Sequence, residues 1–314
     1  MLRFIGGRLL GTVPVLLILS LGVFLMLHLT PGDPVQIMLG QDADPQSIAA
    51  LRSELGLDQP LPVQYARWVG NVVRGDLGRS IRTHQPVMEA IVTRLPVTIE
   101  LSLVSLIISL AIGLPSGVVA ASRRNTSVDV ASTGLALAGV SLPSFFLGIL
   151  LILVFALWLR WVPPSGYTPF VHDPAMNLKQ MFMPAVALGA ALAGIVARLM
   201  RSSLLEVLDT DYMRTARAKG LSQQAVLLGH GLKNALLPVV TVVGLQVGAL
   251  LGGAILIETI FALPGIGRLA VDSIFARDFP IVQGVVLFLA LVRVLSNLIA
   301  DLLYGQLDPR ITRA

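Results

Sequence analysis

The sequence of 314 residues is apolar: 55% of its residues are hydrophobic, 13% are charged, and the mean hydropathy is +0.81. About 25% charged residues is usual for a soluble domain, so this composition excludes one and indicates a membrane protein. The absence of cysteine excludes a disulfide framework, a thiolate nucleophile and a cysteine-ligated metal site. The net charge of +5 fits either nucleic-acid binding or a membrane protein with basic loops.

Six apolar runs are long enough to cross a membrane, because about 20 residues rising 1.5 Å each span a hydrocarbon core of roughly 30 Å. They cover residues 9–29, 101–121, 130–159, 181–197, 236–257 and 281–303. The third run exceeds one straight crossing, which predicts a kink at Pro143 or partial emergence from the bilayer. The first run is predicted to be a retained anchor, because no small-residue cleavage site follows it.

The distribution of basic residues predicts the orientation. With six spans both termini lie on one side, and the positive-inside rule identifies that side as the cytoplasm. Its basic residues are Arg3, Arg8, Arg123, Arg124, Arg198, Arg201, Arg214, Arg217, Lys219, Lys233, Arg310 and Arg313. On the other side, segment 31–98 carries six arginines against seven acidic residues, as expected of an exported surface. The concentration of basic residues on the cytoplasmic side therefore explains the positive net charge of the chain. No nucleic-acid partner is predicted.

These features divide the chain into four parts. Residues 1–30 form the N-terminus and first span, and residues 31–98 an external segment of short amphipathic pieces. Residues 99–304 form a five-helix core, with a cytoplasmic loop at 203–236 and an external loop at 258–280. Residues 305–314 form a cytoplasmic tail.

Polar residues inside the spans are candidates for a transport path. Arg293, Asn297 and Asp301 lie four residues apart in the last run and therefore share one helix face. An Arg within the bilayer costs about 2.5 to 3.5 kcal/mol, so this face should meet protein or water. An internal polar network and contact with cargo are both open interpretations. Gln246 in the fifth run is a second candidate for the path.

Small residues recur every four positions in two runs. The fifth run contains Gly244, Gly248 and Gly252, and the fourth contains Gly189, Ala193 and Ala197 in the same spacing. Such stripes allow helix backbones to approach closely in lipid. They predict tight packing within a bundle, or a movable contact along a path or subunit interface.

One long polar stretch lies between Ser203 and Pro238, flanked on both sides by apolar runs. Asp211 can cap a helix that reaches Lys219, Gly220 suits the left-handed position that ends it, and Ser222 can cap a second helix. The first helix combines basic side chains with a surface of small residues, which a partner could approach closely. These residues are Arg214, Arg217 and Lys219, with Thr215, Ala216 and Ala218 around them. A compact knob that docks to a partner and a solvated loop are the alternatives. The residues that can begin and end two helices here favour docking.

Several motifs along nearly the whole chain resemble the dipeptide/oligopeptide/glutathione/nickel permease family of ABC importers. They are residues 28–34 (HLTPGDP), 56–61 (GLDQPL), 75–80 (GDLGRS) and 264–267 (PGIG), together with the polar stretch 211–238. The similarity to glutathione or dipeptide permeases is greatest in residues 211–220 and 244–246. The polar stretch 211–238 resembles the coupling loop that docks to the ATPase. Where the general pattern of that loop has Glu-Ala-Ala, this chain has Arg214-Thr215-Ala216.

The resemblance implies the roles of individual residues. The residues expected to contact the ATPase are Asp211, Arg214, Thr215, Ala216, Arg217, Ala218, Lys219, Gly220 and Leu221. Pro264, Gly265, Ile266 and Gly267 would form an external gate beneath the solute-binding protein. From the residues alone, this Pro-Gly turn indicates only a loop.

The resemblance also implies the assembly. The chain would be an all-α, six-span type I ABC importer permease in the bacterial inner membrane, with both termini cytoplasmic. It would move small peptides inward by alternating access, in a heterodimer with a second homologous permease. Two ATPase subunits would use ATP and Mg, an extracytoplasmic protein would deliver cargo, and lipid would surround the spans. Nickel or another small solute is the alternative cargo.

The sequence lacks catalytic motifs. No G-x-x-x-x-G-K-[ST] loop and no H-E-x-x-H motif occurs, so we expect no bound cofactor, no metal site and no ATP hydrolysis by this chain. Ser141 in a Gly-Val-Ser-Leu sequence resembles the serine motif of rhomboid proteases, but the required His base is missing from nearby spans. Ser141 before Pro143 can instead satisfy backbone carbonyls at the kink.

An ion-coupled secondary transporter is the rival function from a different class. Such carriers usually place acidic residues near the membrane midplane. Here Glu100, Asp129, Glu258 and Asp301 all lie near the ends of predicted spans. The sequence therefore favours the ATP-driven importer.

Overall fold

The computed structural model describes residues 2–29, 35, 44–54, 56–223 and 225–307. Within this part of the chain all elements are helices, apart from an isolated bridge between Arg79 and Pro86. The predicted all-α class is therefore confirmed for the described residues.

The helices follow one another with short connections. They are α1 (Leu2–Leu29), α2 (Pro45–Glu54), α3 (Leu61–Val73), α4 (Val87–Ser122), α5 (Ser127–Ser141), α6 (Ser144–Leu151), α7 (Pro174–Leu208), α8 (Asp211–Ala218), α9 (Leu232–Ile260), α10 (Ile266–Phe275) and α11 (Phe279–Leu307). Two π-helical segments interrupt the series, Ile152–Trp158 after α6 and Ala225–Gly231 before α9.

The described helices support four spans, or five if a bent pair crosses the membrane as one. Four helices are long and apolar enough, within Val87–Ser122, Pro174–Leu208, Ala225–Gln246 and Phe279–Leu298. The bent pair is Ser127–Ser141 with Ser144–Trp158, at an angle of 105°. Pro143 lies at the break, so the kink predicted there is confirmed. The first predicted run, 9–29, lies in α1, whose shorter apolar part is Gly11–Met26, and a sixth span stays a prediction.

Helix α4 begins earlier than the apolar run that predicted it. Its first turns lie within residues 31–98, where Val87 and Ile91 are fully buried against Ile266 and Val285 of α10 and α11. These contacts anchor the N-terminal end of α4 to the C-terminal helices. The predicted run is shorter than the helix because Glu89 and Arg94 lower the mean hydropathy of the first turns of α4.

Helix α7 is the centre of the bundle, and it packs against α4, α5, α6, α8 and α9. Against α4, small residues bring the backbones together. A Cβ added to Gly113 would lie 2.7 Å from the Ala193 carbonyl oxygen, and one added to Gly189 would lie 2.6 Å from that of Ser105. The packing role predicted for Gly189, Ala193 and Ala197 is therefore confirmed.

Of the three glycines spaced four residues apart in α9, only the middle one, Gly248, packs closely against another helix of the described chain. Gly248 is buried, and a Cβ there would lie 2.9 Å from the Ser296 Cβ and 3.2 Å from the Arg293 Cδ of α11. For Gly244 and Gly252, no atom of the described chain comes within 4 Å of an added Cβ. Part of this face of α9 is therefore left open by the described residues.

A buried ion pair joins α7 to the beginning of α5. The guanidinium of Arg201 donates to both oxygens of Asp129, from Nε to Oδ1 at 2.6 Å and from Nη2 to Oδ2 at 2.8 Å. The Asn125 amide also donates to Oδ2, at 3.0 Å. Asp129 is only 4% exposed, so this bidentate contact fixes the spacing of the two helices.

We predict that Asp129→Asn destabilises the protein. Removing one partner of a buried pair leaves the other charge uncompensated, and typically costs about 3 to 5 kcal/mol. The partly exposed Arg201 side chain should place the loss at the lower end of that range. Asp209→Asn is the matched control, because the Arg124–Asp209 pair at 3.9 Å is exposed and worth at most about 1 kcal/mol. Thermal unfolding in detergent measures both, and equal midpoints would contradict the prediction.

Candidate functional site

The polar stretch forms a short helix with a defined beginning and end. Thr210 is the extended residue before α8, and its carbonyl accepts from the amides of Met213 and Arg214. The prediction that Asp211 is the cap is therefore wrong: Asp211 is the first helical residue, and its carboxylate accepts from Arg214 Nη1 at 3.1 Å. Gly220 has φ +79°, so the predicted left-handed end of the helix is confirmed.

Ser222 begins the next helical segment, as predicted. Its Oγ accepts from the Ala225 amide at 3.3 Å, and its carbonyl accepts from the Val226 amide at 3.0 Å. The segment that follows is the π-helix Ala225–Gly231, which leads directly into α9. The polar stretch is thus a helix, a glycine turn and a second helix continuous with a predicted span.

The interior of this knob attaches α8 to the longer helices. Met213, Ala216 and Val226 form a small buried cluster against Val207 and Leu208 at the end of α7. The expected surface position of Ala216 is therefore wrong, because it lies on the face of α8 that carries Met213. The Asn234 amide on α9 also donates to the Tyr212 hydroxyl, at 2.8 Å. Helix α8 is therefore attached to both α7 and α9.

The outer face of the knob is basic and accessible. Its exposed residues are Asp211, Arg214, Thr215, Arg217, Ala218, Lys219, Gly220 and Leu221. The contacts that its arginines make within the chain are solvent-exposed and weak: Arg214 pairs with Asp211, and Arg217 reaches the Leu208 carbonyl at 3.4 Å. These side chains can rearrange when an acidic or polar partner approaches.

The polar residues predicted to line a path do not form a network within the described chain. Arg293 and Asn297 are exposed on α11, and neither makes a hydrogen bond to another described residue. The stem of Arg293 crosses Gly248 of α9. Gln246 is half-buried on α9, and the side chain of Asp301 lies outside the described part of the structure. The internal-network interpretation is therefore unsupported for Arg293 and Asn297.

The Pro-Gly-Ile-Gly motif is built around a buried carboxylate. Glu258 is fully buried at the end of α9, where Oε1 accepts from the Thr98 hydroxyl at 2.6 Å and Oε2 from the Arg268 amide at 3.0 Å. Thr98 Oγ1 accepts in turn from the Ile266 amide at 2.9 Å. Glu258 thus connects α4, α9 and the beginning of α10.

The glycines of this motif allow the carboxylate to approach. A Cβ added to Gly265 would collide with the Glu258 carboxylate, and one added to Gly267 would lie 2.5 Å from the Ile255 Cα. Gly265, Ile266 and Gly267 are buried, and only Pro264 of the four motif residues is exposed. Sequence reasoning placed Glu258 only at a span end and missed its role. An acidic residue six positions before a Pro-Gly-x-Gly turn was the available signal.

A second carboxylate ties the external segment to the same end of the bundle. Asp278, between α10 and α11, accepts from the Ser80 hydroxyl through Oδ2 and from the Ile81 amide through Oδ1 at 3.1 Å. Ser80 belongs to the 75–80 motif, in which the Gly78 amide donates to Asp76 Oδ1 at 2.9 Å. The 75–80 motif therefore contacts the turn between α10 and α11, about two-thirds of the sequence away.

A third carboxylate lies on α4 beside the connection between α6 and α7. The Tyr167 hydroxyl donates to Glu100 Oε2 at 2.7 Å. Burial and the adjacent Glu100 carboxylate raise the pKa of Tyr167 to about 12, so its hydroxyl keeps its proton under ordinary conditions. Glu100 Oε1 is buried without a hydrogen-bond partner among the described atoms.

We predict that Gly265→Ala destabilises the outer end of the bundle. The backbone of Gly265 is extended, with φ −95° and ψ −178°, so the effect arises from the collision with Glu258 rather than from φ. Overpacking of this kind costs about 1 to 3 kcal/mol. Gly134→Ala in α5 is the matched control, because an added Cβ there has free space and the helix should gain about 0.5 to 1 kcal/mol. Unfolding midpoints in detergent distinguish the variants, and a harmless Gly265→Ala would contradict this account.

Comparison with known proteins agrees with this arrangement. A family model described as "Binding-protein-dependent transport system inner membrane component" matches residues 113–313. A second model, for the N-terminal part of such membrane components, matches residues 1–102. The fold is similar to that in a crystal structure of an amino acid ABC transporter with histidines, with a TM-score of 0.53 and 14% identity. That match covers 69% of this chain and 94% of the other.

Curated relatives match over nearly the full length. A Brucella suis biovar 1 protein, provisionally named as a peptide transport system permease, is 46% identical over 99% of both chains. The glutathione transport system permease protein GsiC of Salmonella paratyphi A is also 46% identical over 99% of both chains, and GsiC of Escherichia coli O6:H1 is 44% identical over the same shares. The chain belongs to the family of inner-membrane components of binding-protein-dependent transport systems, and it is a permease subunit of an ABC importer.

Proposed function

We propose that this permease carries small peptides, such as dipeptides, oligopeptides or glutathione, inward by alternating access. Full-length identity of 46% to permeases named for peptide and glutathione transport is the observation that carries the proposal. Nickel or another small solute is the alternative cargo. The chain itself would bind no cofactor and catalyse no reaction, while partner ATPase subunits would use ATP and Mg.

In this proposal, the movement of the ATPase subunits reaches the spans through the knob around α8. Closure of two ATPase subunits would move α8, and the buried Met213–Ala216–Val226 cluster would pass that movement to α7. The hydrogen bond between Asn234 and Tyr212 would move α9 at the same time. A rigid-body shift of two helices that pack against each other is a common switching movement. The exposed residues from Arg214 to Leu221, apart from the buried Ala216, would form the docking surface.

We further propose that a second, homologous permease covers the open faces of α9 and α11. Arg293 and Asn297 are exposed in a predicted span, where polar side chains must meet protein or water rather than lipid. The free space over Gly244 and Gly252 would allow a partner helix to approach. The path would then run between the two permeases, with Gln246, Arg293, Asn297 and Asp301 at or near its lining.

The proposed topology places α8 in the cytoplasm, because the basic residues concentrate at that end of the bundle. Both termini would share that side. The Glu258 cluster and Pro264 would then lie at the external end, beneath the solute-binding protein. There α10 exposes Ile274 by 53% and Phe275 by 85%. Because Glu258 joins α9 to α10, a shift of α9 would move this external surface.

Gly220→Pro tests the coupling role. Proline fixes φ near −65°, which is incompatible with φ +79°, and it removes the amide that donates to the Arg217 carbonyl at 3.0 Å. We expect normal membrane insertion, with uptake lost and ATP hydrolysis no longer stimulated by cargo. Gly220→Asn is the matched control, because asparagine tolerates the left-handed region and should retain uptake. Full uptake by the proline variant would defeat the coupling assignment.

Ala218→Trp tests docking without disturbing the helix. Ala218 is exposed, so tryptophan fits the isolated chain but would clash with a closely docked partner. We expect ATPase recovery in affinity purification to fall by about tenfold or more. Ser202→Trp, an equally large addition at an exposed position of α7, should leave recovery unchanged. Equal recovery from both variants would remove α8 from the interface.

Affinity purification of the tagged wild-type chain from its native membrane tests the whole assembly. We expect a second permease and ATPase subunits to copurify, with vanadate-sensitive ATP hydrolysis. Reconstituted vesicles with the matching binding protein would then accumulate labelled dipeptide or glutathione only with ATP. Uptake driven by a proton gradient without ATP would instead establish the ion-coupled carrier.

A further inference from the structure

An apolar cavity of about 210 Å³ lies between α4, α5 and α7. Its wall is formed mainly by aliphatic and small residues, including Ile108 and Ile112 of α4, Leu135 and Gly139 of α5, and Gly189 of α7. Close backbone packing at the glycines brings the three helices together, and the missing side chains leave the cavity between them.

The cavity opens toward the outside of the helices. Ile112 is 53% exposed and Leu135 76% exposed at its rim. Both belong to helices that are expected to cross the membrane, so hydrocarbon rather than water surrounds the opening. An apolar cavity lined by such residues does not hold water stably. An acyl chain is therefore the occupant whose chemistry matches the wall.

A second, smaller cavity continues the first toward the end of the helices. Ser116, Ser132, Ala136 and Ala197 line both cavities. The smaller one ends at Thr133, Arg198 and Arg201. The two cavities thus form one continuous groove. Its lining changes along its length from apolar side chains to hydroxyl groups and then to basic side chains.

The basic end can accept an anion. Arg198 is exposed, and its guanidinium makes no hydrogen bond or ion pair with another described residue. Arg201 donates through Nε and Nη2 to Asp129, so this pair is close to neutral and Arg198 supplies the excess charge. The hydroxyls of Ser132 and Thr133 lie beside this end of the groove. Basic pockets between membrane helices bind anionic lipid headgroups.

The spacing of the two ends matches one leaflet. Gly189 at the apolar end and Arg198 at the basic end are nine residues apart on α7, which corresponds to about 14 Å along a helix. Half of a hydrocarbon core of roughly 30 Å is about 15 Å. A lipid whose phosphate lies at Arg198 would therefore extend an acyl chain into the larger cavity.

We propose that this groove between α4, α5 and α7 is a binding site for an anionic phospholipid, with its phosphate at Arg198 and one acyl chain in the 210 Å³ cavity. No residue that lines the two cavities belongs to α9 or α11, and the site does not depend on the proposed cargo. In the proposed topology the lipid belongs to the cytoplasmic leaflet. A bound chain would fill the space between α7 and its neighbours, so its retention would stabilise the central helix.

Native mass spectrometry of the transporter, purified with its accompanying subunits, tests the site. Phosphatidylglycerol and phosphatidylethanolamine with identical acyl chains would be titrated as probes. We expect wild-type protein to retain phosphatidylglycerol preferentially, and Arg198→Gln to reduce that preference about fivefold. Arg123→Gln is the matched control, because Arg123 is exposed at the same end of the bundle but lines neither cavity. Its preference should equal that of the wild type.

A second variant tests the acyl-chain cavity. Ser132→Phe would place a ring in the groove, and it should reduce retention of both lipids while the unfolding midpoint shows that the fold persists. Equal retention of the two lipids by wild-type protein, or an unchanged preference in Arg198→Gln, would overturn the proposal.

The chain has no native cysteine, so Leu135→Cys also tests whether a second copy covers the groove. An efficient disulfide dimer through that cysteine would overturn the lipid site in favour of a subunit interface.

Discussion

Close approach of helix backbones around α7 is the constraint on which the rest of the structure depends. In lipid, helices gain little by burying apolar side chains, so association relies on packing and internal polar contacts. Glycines of α4 and α7 remove the side chains that would hold these helices apart. The bidentate Asp129–Arg201 contact then fixes their spacing to α5 near the end of the bundle. A rigid central helix results, to which the shorter elements are attached.

This arrangement gives the polar knob mechanical access to the spans. Helix α8 has only eight residues, and without its attachments it would be too short to be stable. Its buried face packs on the end of α7, and its Tyr212 contacts α9, which itself packs against α7. The exposed basic face is left free for a partner. This small surface helix is thereby attached to two long helices.

The opposite end of the bundle is organised by buried carboxylates rather than by small residues. Glu258 joins α4, α9 and α10, and Asp278 joins the external segment to the turn before α11. A buried carboxylate is tolerated only when its oxygens accept hydrogen bonds, and both of these receive donors from distant parts of the chain. At this end of the bundle the ends of several helices are therefore linked to one another.

The sequence by itself determined the helical class, most of the apolar helices, the kink at Pro143 and the Gly220 turn, because these depend on local hydropathy, a fixed proline φ and a left-handed glycine. The family motifs also identified the functional class without any structure. Only the tertiary structure decided that Ala216 faces inward, that Arg293 and Asn297 lack a partner in the described chain, and that Glu258 and Asp278 receive donors from far along the sequence. Burial and long-range hydrogen bonds depend on how helices pack, and helical periodicity alone does not specify which face meets which neighbour.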